Sequence, residues 1–263
     1  MNTEEILTLY DDQERKNSTH PSYRREEAGP VVRHVSKDPS RLSFIIYTDL
    51  NEDNADKAIR EQIDWYQTEV SGYGFEWKTY DHDRPADLKT RLLAQGFAGD
   101  EAEALLVIDL LDCPEVYLQP VTTDVRQISD GAQIADVAAI QEQVYGRSFD
   151  WLERQLQENI AQEPDFWSIY IAYVDGVAAC AAWTSFPSGS SFAGLWGGAT
   201  LSQYRRRGLY TAVVAARAQE ALDRGYRFLM VDAGEMSRPI LEKRGFKLLT
   251  HTTPFTWTSE RGN

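Results

Sequence analysis

Gly197-Gly198-Ala199-Thr200-Leu201-Ser202-Gln203-Tyr204-Arg205-Arg206-Arg207-Gly208-Leu209-Tyr210-Thr211 reads as the end of a strand, a basic turn and the start of a helix. The apolar residues before it (Phe192, Leu195, Trp196) have strand character, and Gly197 and Gly198 loosen the strand's end. After Gly208 the period changes: Tyr210, Val214, Ala218, Ala221 and Leu222 form one apolar stripe at helical spacing. Arg217, Glu220, Asp223 and Arg224 take the opposite side, and Gly225 is placed to end the helix. Such a turn aims several free backbone N–H groups outward at the positive end of a helix dipole, beside three guanidinium groups. That is an anion site of the kind that holds phosphate or pyrophosphate. A residue larger than glycine at 208 would push its Cβ toward the bound oxygens.

The run Arg205-Arg206-Arg207-Gly208-Leu209-Tyr210 resembles motif A of the GNAT superfamily of acetyl-CoA-dependent N-acetyltransferases, Arg/Gln-x-x-Gly-x-Gly/Ala between a strand and a helix. The resemblance extends downstream. A strand-like run, Phe228–Asp232, precedes a short segment, Ser237 to Gly245-Phe246, with Ser237 at its N-cap and Pro239 in its first turn. Strand-like sequence then runs to Trp257, as in the family. The resemblance implies acetyl-CoA as co-substrate. Its pyrophosphate would lie on the amides of Arg206 to Tyr210, beside the Arg205, Arg206 and Arg207 side chains, with Gly208 and Leu209 in the turn. Its pantetheine arm would run along Gly198, Ala199 and Thr200. The last motif position is Tyr210 rather than Gly or Ala, so its ring must point away from the phosphates.

The same order of elements is legible twice. Strand, helix, strand, short helix ending Gly-Phe, strand describes 42–110 as well as 192–257, and Gln95-Gly96-Phe97 parallels Arg244-Gly245-Phe246. The first copy opens its helix with Asp49-Leu50-Asn51-Glu52-Asp53, which has no glycine turn and carries carboxylates that would repel a pyrophosphate. The expected fold is therefore α/β (mixed α+β): two GNAT-like domains, each a twisted, mostly antiparallel mixed sheet flanked by helices, the first incomplete. Asp112-Cys113-Pro114-Glu115 marks the expected junction between domains 1–112 and 116–263. Within the first, 1–20 reads as a short helix with a polar tail, and 11–30 as too polar to bury. The strands and helices expected there are Val31–Val35, Leu42–Tyr47, a helix over Asp49–Val70, Phe75–Tyr80, a helix over Ala86–Gln95 and Ala104–Leu110. Within the second come a strand at Val116–Val121, helices over Ile128–Val144 and Phe149–Ile160, and a hairpin of Ser168–Val174 and Val177–Ser185 about Asp175-Gly176.

The resemblance implies acyl transfer from acetyl-CoA to a primary amine of a small molecule or peptide, by direct attack in a ternary complex. Many family members protonate the departing thiolate with a tyrosine four residues before the Gly of Gly-Phe; here that position is Leu241. Ser237, Tyr210, Tyr204, Tyr145 or a water are the candidates to replace it, and Asp232 and Glu235 are the candidate bases. The missing tyrosine also suits an alternative, a non-catalytic acyl-CoA-binding sensor or regulatory module.

Composition bounds the partners. The formal charge of −14 is concentrated in residues 1–116, with 13 Lys and Arg against 25 Asp and Glu, a net −12. That argues against nucleic acid or an anionic membrane and suits a cationic amine. Four scattered histidines and two distant cysteines offer no metal spacing and no disulfide framework. No apolar run approaches the ~20 residues of a membrane span. The start, Met-Asn-Thr-Glu-Glu, lacks the order of a signal peptide, so a cytoplasmic location is expected.

Overall fold

The computed structural model describes residues 1–70, 74–129 and 131–259. The elements run α1 (Thr3–Tyr10), β1 (Tyr23–Ala28), β2 (Val31–Ser36), β3 (Ser43–Thr48), α2 (Ala55–Glu69), β4 (Gly74–Tyr80), α3 (Leu88–Ala94), β5 (Ala98–Gly99) and β6 (Glu103–Asp109). They continue with β7 (Val125–Ile128), α4 (Ile134–Tyr145), α5 (Asp150–Gln162), β8 (Trp167–Val174), β9 (Val177–Ser185), β10 (Phe192–Thr200), α6 (Leu209–Asp223), β11 (Phe228–Ala233), α7 (Arg238–Glu242) and β12 (Lys247–Thr258). Two compact units result: Met1–Leu106 with the C-terminal segment from Asp232, and Val107–Val231. In place of one junction at 112–115, the chain leaves the first unit within β6 and re-enters it within β11. The reason is the last strand: β12 pairs antiparallel with β4 from Thr252 opposite Tyr80 to Thr258 opposite Gly74.

In the first unit β1 and β2 pair antiparallel, as do β2 and β3, whereas β3 and β4 are parallel over Ser43–Ile45 and Phe75–Trp77. The apolar stripe of α2 (Ala55, Ala58, Ile59, Tyr66) packs with Leu88 and Leu92 of α3 onto Ile45, Phe75, Trp77 and Trp257. The expected helix over 49–70 begins only at Ala55, because Asn51 and Asn54 turn the chain into a side-chain-bonded loop before it.

Residues 11–30, expected to be too polar to bury, place Glu14, Arg15 and Ser18 in the interior. A capping box between Asn2 and Glu5 starts α1, a π-helical turn Asp11–Lys16 follows, and β1 forms a charged edge strand. The polarity is absorbed by pairing: Arg15, 2 % exposed, bonds Asp11, Asp83 and the Ile46 carbonyl, and its guanidinium lies 3.7 Å from the Tyr80 ring centroid.

In the second unit β7, β8, β9 and β10 pair antiparallel in sequence, and β10 pairs parallel with β11 over Phe192–Gly194 and Phe228–Met230. Asp175 and Gly176 both have positive φ (51° and 80°), which matches the twist of the β8–β9 hairpin they join. Helices α4 and α5 cover one group of sheet residues (Ile169, Ile171, Ala181), and α6 covers the alternate group (Tyr170, Ala172, Cys180, Ala182). The strand expected at Val116–Val121 is absent: Glu115–Tyr117 is a 3-10 turn, and Pro120 cannot donate to a ladder. After the end of β6 the next strand of this unit is β7, and Asp130, inside the helix expected from Ile128, lies outside the described residues.

Candidate functional site

Strand β10 outruns its parallel partner. Its pairing with β11 ends at Gly194 opposite Met230, and the strand continues to Thr200 against β9 alone. Its register with β9 breaks between Trp196, opposite Trp183, and Ala199, opposite Ala181. This bulge is built by glycine: Gly197 has φ +59°, and a β-carbon there would stand 1.9 Å from the Trp183 ring. Gln141 of α4, buried, donates through Nε2 to the Gly197 carbonyl at 2.5 Å. The outer half of β10 therefore stays paired with β9 beyond the bulge, with its other edge free of β11.

Beyond Thr200 a 3-10 turn, Ser202–Tyr204, leads into Arg205, whose Nε donates to the Thr200 carbonyl at 3.1 Å. Arg206 (φ +64°) and Gly208 (φ +82°) both take left-handed backbone conformations immediately before α6. Alternation of this kind turns successive N–H groups to one side, the geometry of an anion nest. Among the described residues, the N–H groups of Arg206 through Thr211 have no protein acceptor, and α6 has no side-chain cap. Arg205, Arg206, Arg207 and Gly208 are exposed, and no carboxylate pairs with any of the three guanidinium groups among the described residues. The turn is thus open, cationic and unsatisfied.

Tyr210 turns inward from this loop. Its ring lies on Gly198, with Cε2 2.6 Å and the hydroxyl 3.4 Å from where a β-carbon at 198 would stand. Burial pushes its hydroxyl above the ordinary tyrosine pKa, and Arg217 pulls in the opposite direction. Ala199 is buried, and Thr200 Oγ1 donates to Cys180 Sγ at 3.1 Å.

The other catalytic candidates belong to the first unit. Asp232 accepts from Lys78 Nζ (2.5 Å) and Thr252 Oγ1 (2.9 Å), so both its oxygens are engaged. Burial opposes the Lys78 charge, but Asp232 beside it outweighs that and holds the ammonium charged beyond the ordinary lysine range. Glu235 is exposed on a turn. Ser237 occupies the N-cap position of α7, yet its hydroxyl donates to the Gly234 carbonyl at 3.3 Å and caps nothing. Leu241 is 1 % exposed.

Arg217, expected on the solvent face of α6, is instead 1 % exposed, donating to the Val213 and Trp183 carbonyls. The signal was present: 210, 214, 217 and 221 are spaced as one stripe, and the charge of the residue obscured it. Gln141, which holds the bulge together with Trp183, belongs to no motif in the sequence.

The corresponding region of the first unit is closed. Past Ile45, where β3 parts from β4, the Ile46 carbonyl accepts from Arg15 Nε at 2.8 Å. At the helix that follows, the N–H groups of Asn51, Asp53 and Asn54 are taken by the side chains of Asn54 and Asn51 at 2.8–3.1 Å. No anion nest survives there.

Among the described residues no group of three His, Cys, Asp or Glu is arranged to hold a metal, and no helix is long and apolar enough to cross a membrane. No curated protein sequence matches the chain significantly. Similar solved structures include a GCN5-related N-acetyltransferase from Kribbella flavida (TM-score 0.69, 17% identity, covering 98% of this chain and 96% of that one). A functionally unknown conserved protein from Staphylococcus epidermidis gives 0.68, 12%, 97% and 99% on the same measures. A tandem GNAT protein from the clavulanic acid biosynthesis pathway gives 0.59, 11%, 98% and 88%. At these identities the likeness speaks for the fold. The sequence model of the acetyltransferase (GNAT) family matches residues 134–246. The family model thus marks residues 134–246, and the fold around them is shared with GNAT structures, a tandem GNAT protein among them.

Proposed function

We propose that the chain is an acetyl-CoA-dependent N-acetyltransferase acting on a primary amine of a small molecule or a peptide. The observation that carries this reading is the row of unclaimed N–H groups from Arg206 to Tyr210 at an exposed, triply basic turn, directly after a strand with one free edge. A diphosphate suits those donors. Gly198, Ala199 and Thr200 offer main-chain groups for an extended amide-bearing arm, and an amide near the bulge would polarise the thioester carbonyl. Holding both reactants in line lowers the entropic barrier to attack by the neutral amine.

Of the proton-transfer candidates, Tyr210 is favoured as the acid, because its hydroxyl lies against Gly198, the strand residue assigned to the arm. Asp232 is a weaker candidate base with both oxygens engaged, and Glu235 and Ser237 lack supporting contacts. The two cysteines are unpaired, which fits a reducing cytoplasm.

The second reading, a non-catalytic acyl-CoA sensor, is favoured by one observation: the position assigned to the family's acid is a core leucine. Release of free thiol from acetyl-CoA with a panel of amines separates the two. Thiol release that depends on the amine supports the enzyme. Tight coenzyme A binding with no release from any amine supports the sensor. Calorimetry with coenzyme A against plain pyrophosphate or sulfate tests the site, and equal affinity for all three would defeat both readings.

A further inference from the structure

Arg217 is a buried cation, and among the described residues no carboxylate bonds to it. Its Nε donates to the Val213 carbonyl at 3.3 Å, one turn back along α6, and its Nη1 to the Trp183 carbonyl at 3.2 Å on β9. Burial of a charge without a counter-ion is unfavourable, and a methionine or leucine would fill the same space. The charge itself therefore needs a reason.

The titratable groups that act most strongly on the guanidinium are Tyr210 and Glu220 from α6, Cys180 from β9 and Tyr170 from β8. Glu220 is committed elsewhere, one oxygen to Gln127 and Arg224 and the other to Ser168. Cys180 is buried and takes the Thr200 hydroxyl. Burial and Glu220 both hold the Tyr170 hydroxyl protonated. Tyr210 remains, two turns N-terminal on the same stripe. The two side chains end at the same feature: Arg217 on the carbonyl of Trp183, and Tyr210 on Gly198, inside the bulge between the Trp183–Trp196 and Ala181–Ala199 pairs. Tyr145 of α4 also acts on the Tyr210 hydroxyl, weakly and in the same direction as burial.

From this juxtaposition we infer that Arg217 is a positioning residue for Tyr210, its guanidinium fixed by two main-chain carbonyls so that it stabilises the phenolate left when Tyr210 protonates the departing thiolate. The inference rests on the reading of Tyr210 as the acid. In that step the amine nitrogen bonds the acetyl carbon, and the carbon–sulfur bond breaks. The sulfur takes the Tyr210 proton, and the proton lost by the amine reaches solvent, from which the phenolate is reprotonated. A thiol is ordinarily more acidic than a phenol, so a dry tyrosine is a poor donor to a thiolate unless a cation shares its environment. Burial raises the Tyr210 hydroxyl, and Arg217 is the group that counters it.

The test places 3,5-difluorotyrosine at 210 in the full chain and follows its titration by fluorine NMR, with Arg217, Arg217→Met or Arg217→Lys. In the Met background the titration is expected to move up by roughly one to two pH units, and Lys to restore most of the difference. Coenzyme A affinity, measured by calorimetry, stays the same in all three. With any amine the native chain accepts, Arg217→Met lowers kcat about tenfold to a hundredfold at unchanged KM. The deficit shrinks with the acetyl selenoester of the same carrier, whose leaving group needs no proton. If Arg217→Met does not fold, Arg217→Gln, which keeps a donor for the Trp183 carbonyl, makes the same comparison. An unmoved titration in a folded variant that binds coenzyme A overturns this inference and leaves the acetyltransferase reading standing. Failure of the native chain to bind coenzyme A overturns both.

Discussion

At Gly208 the backbone sits at φ +82°, and nothing lies within 4 Å of the point a β-carbon would occupy. A side chain there meets about 1 kcal/mol of backbone strain but no wall. Gly208→Glu is therefore expected to fold, with unchanged circular dichroism, while its carboxylate weakens coenzyme A binding about a hundredfold; unchanged affinity would rule out the turn as the pyrophosphate site. Gly198 is the opposite case, since a methyl group there would stand 2.6 Å from the Tyr210 ring. Gly198→Ala must displace the ring. It is expected to lower kcat at least about tenfold, with little further loss when combined with Tyr210→Phe, because two changes acting through one group do not add. Additive losses would separate the strand from the tyrosine. Leu241, buried in the first unit, is a packing residue: Leu241→Ala should cost about 2–5 kcal/mol in urea unfolding. A neutral result would show that α7 is more loosely held than its burial implies.

Elements were legible in the sequence wherever one period dominated. The stripe of α6, the glycine turn before it and the alternation of β8 and β9 are local patterns, and the structure places those elements within a few residues of expectation. What failed was long-range. The polarity of residues 11–30 predicts exposure only if partners are ignored, and the partners of Arg15, at Ile46 and Asp83, are 31 and 68 residues away. The histidines make the same point. His34 stacks on Phe44 with ring centroids 4.7 Å apart, and His20 meets both rings edge-on at 5.2 and 5.3 Å, a cluster that no sequence spacing announces. Burial lowers His20 to about 3 and His34 to about 4. Both then lie below the unfolded value near 6.5, so the unfolded chain binds these protons first. Their contribution to stability is full above about pH 6.5 and falls as pH drops toward 4, by about 1.4 kcal/mol per pH unit for each histidine. Urea unfolding of the native chain and of His34→Asn at pH 7.5 and pH 5 isolates one of them from the carboxylates that titrate in the same range. The variant should lose less stability on acidification than the native chain. Equal losses would mean His34 is protonated in the fold.

For the molecule, the question is why one chain carries the same strand–helix–strand device twice, and whether both copies bind. In each unit the leading strand pairs in parallel with the next for three residues and then runs on beyond it. In the second unit the following N–H groups are unclaimed and flanked by arginines. In the first, Asn51 and Asn54 take those donors, Asp49, Glu52 and Asp53 surround them with negative charge, and Arg15 bonds the strand carbonyl at Ile46. Arg15 neutralises Asp83 and Asp11 while doing so. Its removal would leave the Asp83 carboxylate, 7 % exposed, without a counter-ion, at a cost of about 3–5 kcal/mol. The first unit is therefore held together by the group that occupies its strand end, so freeing that carbonyl by removing Arg15 also costs stability. Titration calorimetry should give one coenzyme A per chain. Arg15→Leu should lower the unfolding midpoint and still give one. A second equivalent in either protein would mean that Asn51 and Asn54 release their N–H groups to a ligand, and the first copy would have to be counted as a working site.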